Sequence, residues 1–98
     1  MKKTYFTIAG MQYYFGVGFL KKGMKVKLIK EPDNKYDSEA IRVELKGLGK
    51  IGYVANSVNT VIGESKSAGR IYDSFKKKAK GKVVHITAAG VVCELKVE

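Results

Sequence analysis

Three tyrosines and one aspartate stand where regular secondary structure gives no reason for them. Gln12, Tyr13 and Tyr14 follow Gly10, the residue that closes the first β-branched and aromatic run. Tyr36 and Asp37 lie in the polar stretch EPDNKYDS, residues 31–38. The ordinary use of a ring is burial, so rings in loops are free for recognition. A nucleobase stacked on a tyrosine face gains about 1–3 kcal/mol. Lys25 and Lys27 on a neighbouring strand, and Lys35 beside Tyr36, are candidates to hold phosphates. The competing use of Tyr13 and Tyr14 is to plug one end of the fold, and at least one of the two is expected to do so.

Residues suited to catalysis are sparse. Gly47, Leu48, Gly49 and Lys50 lack the spacing and the strand-to-helix setting of a phosphate-binding P-loop. His85, the single histidine, sits inside an alternating strand, which favours a structural ring over a general base. Cys93 falls on the apolar face of the last strand and reads as a small core residue. Alone, it gives neither a disulfide nor a zinc pattern. Asp33, Asp37 and Glu39 cluster in one loop, and alternating acids can ligate a divalent cation. Lys35 among them, and the absence of EF-hand spacing, favour a solvated turn. No metal or other cofactor is assigned, and no enzymatic activity is expected.

Charge narrows the partner. The chain has 98 residues, 19 basic and 9 acidic, for a net charge of +10. Seventeen of the cations are lysine. A field of this sign attracts phosphate polyanions. Lysine acts as a point charge and so argues for backbone attraction more than base reading. Two groups stand out: Lys21, Lys22, Lys25, Lys27 and Lys30, then Lys76, Lys77, Lys78, Lys80 and Lys82. The start MKKTYFTIAG has no apolar stretch of signal-peptide length. No run approaches a transmembrane helix. A cytoplasmic location without membrane contact is therefore expected.

The elements that position these residues are mostly strands. Residues 4–9, 24–30, 39–45, 50–54, 82–88 and 91–97 show alternation or β-branched enrichment. In 24–30, Val26 and Leu28 face one way while Lys25 and Lys27 face the other. Asn56 or Ser57 could cap a short helix to Ile62. Residues 70–80 suit a second, with Ile71, Tyr72 and Phe75 at helical spacing and Gly81 as its terminator. Strands that follow one another without long crossovers favour an antiparallel barrel over an α/β fold. The expectation is a mainly β, OB-like, partly closed antiparallel barrel of about six strands with one or two short helices, forming a single domain over 1–98.

From Ile8 to about Val61 the sequence resembles the HIRAN domain. The resemblance is carried by AGMQYYFG, by LKKGMKVKLIKEPDNKYDSEAIRV and by KIGYVANSV. It implies an OB-like barrel that occurs alone in bacteria and phages or fused to SWI/SNF-type remodelling ATPases. It also implies capture of the free 3′ end of single-stranded DNA, as in the fused eukaryotic member. On that resemblance Tyr13 matches the ring that stacks on the terminal base and Tyr36 the second ring of the pocket. Asp37 matches the carboxylate that accepts a hydrogen bond from the 3′-hydroxyl, and Tyr14 and Asn34 flank them. Such a carboxylate gains a charge-assisted bond from a hydroxyl and repels a 3′-phosphate. The chain departs from the eukaryotic pattern at Gln12, where an arginine is expected, at Asn56, where a lysine is expected, and at Tyr53, which replaces a histidine. Phe75 is a poor match for the late pocket phenylalanine.

The reading that follows is a nucleic-acid-binding module for single-stranded DNA and free 3′-hydroxyl ends, serving a repair or replication enzyme. Two rivals are an interaction domain for an acidic protein or structured RNA, and a metal-dependent nuclease using Asp33, Asp37 and Glu39.

Overall fold

The structure, a computed structural model, describes residues 3–57, 60–63 and 65–96. Six strands form the wall: β1 (Tyr5–Ala9), β2 (Lys25–Lys30), β3 (Ile41–Leu45), β4 (Gly49–Val54), β5 (Lys78–Thr87) and β6 (Gly90–Lys96). They pair antiparallel in the order β1-β4-β3-β2-β5-β6, and β6 pairs back onto β1, so the ring is closed. Closure leaves no long edge exposed for pairing with another chain. The narrowest pairing is β1 with β4, whose register covers Ile8 opposite Val54 and Ala9 opposite Tyr53.

Alternation fills the interior as the sequence pattern requires. Phe6 and Ile8 of β1, Val26 and Leu28 of β2, Ile41 and Val43 of β3, Ile51 of β4, Val83 of β5, and Val91 and Cys93 of β6 are buried together. Burial also pushes the Cys93 thiol up to about 12, which removes it as a nucleophile at neutral pH. A four-residue helix, α1 (Ala68–Ile71), adds Ala68 and Ile71 to this core. No described helix is long and apolar enough to cross a membrane.

Two local expectations need correction. Residues 70–80 do not form one helix. α1 ends at Ile71, a 3-10 turn covers Tyr72–Ser74, and β5 begins at Lys78. From Lys78 onward exposed lysines alternate with the inward Ala79, Gly81 and Val83, so the true period is two. Gly81 is not a terminator but a point of close approach. A Cβ there would lie 2.7 Å from Phe6 Cζ and 3.1 Å from Val26 Cγ2. The helix expected to run to Ile62 includes residues 58 and 59, which lie outside the described residues. What is described is a turn in which the Thr60 and Val61 N–H groups donate to the Ser57 carbonyl.

Candidate nucleic-acid interface

Gly10 ends β1 in a left-handed conformation, φ +72°, and swings the chain into a 3-10 turn at Met11–Tyr13. Met11 is the residue this turn drives inward, with 2 % of its surface exposed. Gly52 of β4 makes room for it, since a Cβ at Gly52 would lie 3.1 Å from Met11 Cγ and 2.7 Å from the Ala9 carbonyl. The expectation that Tyr13 or Tyr14 plugs the barrel end is therefore overturned. Met11 takes the interior position, and Tyr13 is left 80 % exposed and Tyr14 40 %. Gln12 is exposed beside them.

The second loop is held by its own side chains. Asn34 Oδ1 accepts from the Tyr36 and Asp37 N–H groups at 2.9 and 3.1 Å, an Asx-type turn. Asp37 Oδ1 accepts from the Glu39 N–H at 2.9 Å, and Asp37 Oδ2 from Asn56 Nδ2 at 3.1 Å. Asn56 Oδ1 in turn accepts from the Gly69 N–H at the start of α1. The Tyr36 ring projects from this braced loop with 96 % of its surface exposed. Lys35 is exposed next to it.

Between the loops lies the outer face of β4. The register steps from Val43 opposite Gly52 to Glu44 opposite Lys50, so β4 carries one extra residue. This bulge lets Lys50 and Tyr53, three apart, share the outer face, which a regular strand forbids. Lys50 Nζ donates to the Tyr53 hydroxyl at 2.9 Å and sits 5.6 Å from the centre of the Tyr14 ring. The Tyr53 hydroxyl donates to Glu31 Oε1 at 2.9 Å.

Glu31 is the hub. It also accepts from Asn34 Nδ2 at 3.0 Å and from Arg42 at 3.4 Å. Burial alone would raise its carboxyl. The bonds from Asn34, Tyr53 and Arg42, with the Lys50 ammonium nearby, more than offset this and hold it below the ordinary value. Lys50 is raised, first by its bond to Tyr53 and against the effect of burial. The Tyr53 phenol is raised by burial and by its bond to Glu31, opposed by Lys50.

The result is one connected series: Tyr14, Lys50, Tyr53, Glu31, Asn34, Asp37, Asn56. It joins the first loop to the second across β4 and includes five of the residues singled out from sequence. Glu31, Lys50 and Arg42 were missed. Their only sequence signal is Glu31 ahead of Pro32 at the mouth of the loop, because their partnership arises from strand register. Lys25 and Lys27 lie elsewhere, on the outer face of β2 opposite Lys82 and Lys80 of β5. Phe75 is buried, and Lys30 Nζ stands over its ring at 4.9 Å while donating to its carbonyl at 2.6 Å. Among the described residues no three His, Cys, Asp or Glu side chains converge as a metal site.

The HIRAN domain family model matches residues 1–98. A solved protein from Lactobacillus plantarum is similar over 94 % of this chain and 88 % of its own, with 23 % identity and a TM-score of 0.66. The HIRAN domain of human HLTF is similar over 95 % of this chain and 70 % of its own, with 21 % identity and a TM-score of 0.62. At these identities the two likenesses are of fold. A comparison with curated proteins finds no match.

Proposed function

Because the chain belongs to the HIRAN domain family, a family of nucleic-acid-binding modules, we propose that it binds the free 3′-hydroxyl end of single-stranded DNA and carries out no reaction itself. The observation that supports this best is the exposure of Tyr13 and Tyr36, 80 % and 96 %, on loops tied together through the Glu31 hub. Rings held in water by a braced scaffold serve no core, and each offers a face on which a base can stack.

Asp37 gives the proposed site its preference. Each of its oxygens already accepts one bond and retains a second lone pair. A terminal hydroxyl can donate to that carboxylate, whereas a 3′-phosphate or a continuing strand would bring like charge against it. The module would thus deliver a strand end to a repair or replication enzyme. The deciding experiment compares single strands ending in 3′-hydroxyl and 3′-phosphate over a salt series. The wild type should favour the hydroxyl, and Asp37→Asn should lose most of that preference. Equal affinity of the wild type for both ends would end the strand-end reading.

A further inference from the structure

A second anion-binding site is written into the opposite wall. In a ring of six strands ordered β1-β4-β3-β2-β5-β6, β4 and β5 are three steps apart and face away from each other. The outer face of β5 and its neighbours carries Lys25 and Lys27 of β2, Lys78, Lys80 and Lys82 of β5, and Lys96 of β6. Lys25 stands opposite Lys82, Lys27 opposite Lys80, and Lys80 opposite Lys96. Glu44 stands opposite Lys27 and Glu94 opposite Lys82 on the same face, where six lysines meet these two acids. An anion lying along this face would balance that excess of positive charge.

The face is also shaped. An open groove of about 800 Å³ runs over it, lined by Lys27, Lys76, Lys78, Lys80 and Lys96 together with Ile29, Phe75 and Ala79. Two acids, Glu44 and Asp73, line it as well. Glu44 is engaged by Arg42 at 2.7 Å, and Lys96 is held by Glu94 at 3.3 Å. Exposed lysines recur at every second residue along β5, a step of about 7 Å, which suits successive phosphates of one backbone.

No exposed ring borders the groove. The described exposed aromatics are Tyr5, Tyr13, Tyr14, Phe15 and Tyr36, while Phe75 is buried and Lys30 covers both Phe75 and Tyr72. A groove that offers cations and no stacking platform fits phosphates whose bases are already stacked inside a duplex. We propose that the β2-β5-β6 face binds the backbone of duplex DNA, independently of sequence and separately from the tyrosine loops.

The test uses a duplex with both 3′ ends blocked by phosphate, so that the loops contribute no end capture. Replacing Lys27, Lys76 and Lys78 together by Gln should weaken its binding and lower the salt slope of log K by about three, one for each lysine. A short 3′-hydroxyl single strand should bind this variant as it binds the wild type. Tyr36→Ala and Asp37→Asn should show the reverse pattern, so that failure of the strand-end reading appears only in that arm. Melting temperature verifies folding, and the triple Lys→Arg variant should retain duplex binding. An unchanged salt slope for the blocked duplex overturns the proposal. So does wild-type binding of polyglutamate or anionic vesicles as tight as that of the duplex, since the groove would then be a general acceptor of negative charge.

Discussion

The phenol of Tyr53 donates to the Glu31 carboxylate at 2.9 Å, and this contact is where the two loops of the candidate interface become one unit. The Glu31 carboxyl titrates below its ordinary 4.5 in the folded protein. Its contribution to stability is therefore complete above pH 4.5 and is lost as pH falls through the lowered folded value. Thermal melts between pH 6 and pH 3 should fall in the acid part of this range, and Glu31→Gln should flatten that part of the profile. An identical acid slope in the variant would assign the loss to other carboxylates.

Tyr13→Ala and Tyr36→Ala should separate binding from folding. Both rings are largely in solvent, so each change should leave stability within about 0.5 kcal/mol. Each should nevertheless weaken single-strand binding by about 1–3 kcal/mol if a base stacks there. Paired melts and fluorescence anisotropy check this, and undiminished affinity would exclude that ring.

Asn56 links Asp37 to the start of α1 and acts on the proposed end contact through Asp37. Removing its amide in Asn56→Ala should cost about 1 kcal/mol of stability. It should also reduce the preference for a 3′-hydroxyl over a 3′-phosphate, because the carboxylate loses a partner that orients it. A double-mutant cycle with Asp37→Asn should show coupling, and strict additivity would separate the two residues.

Gly52→Ala places a methyl group against the Ala9 carbonyl and Ile8, and Gly81→Ala places one against Phe6. Overpacking of this kind costs about 1–3 kcal/mol. Both variants should show a lower urea midpoint. Gly52→Ala should in addition weaken single-strand binding, because it displaces Met11 and the turn that carries Tyr13.

The barrel was legible because alternation reports burial directly. Val26 and Leu28 against Lys25 and Lys27, or Ile41 and Val43 against Arg42, leave one choice of inner face. The stretch from Arg70 to Gly81 misled for the same reason in reverse. Ile71, Tyr72 and Phe75 mimic helical spacing, while the period-two signal after Lys78 rests on Ala79 and Gly81, which carry little hydrophobic weight. The loops carrying Tyr13, Tyr36 and Asp37 stood out through residue type. The joining of those loops did not, because Glu31, Lys50 and Tyr53 meet only through a bulge in β4. The fate of Tyr13 and Tyr14 depended on Gly52, a residue far along the chain that admits Met11 in their place.

The two-residue pairing of β1 with β4 makes that junction the thinnest seam of an otherwise continuous ring. The candidate interface straddles it, with the first loop leaving β1 at Ala9 and Tyr53 standing directly across. A strand held between Tyr13 and the second loop would act as a suture over this seam. Its effect would then be mechanical as well as recognitional: slower amide exchange at Ile8, Ala9 and Val54, with bound nucleic acid completing a barrel whose strand register is shortest at that point.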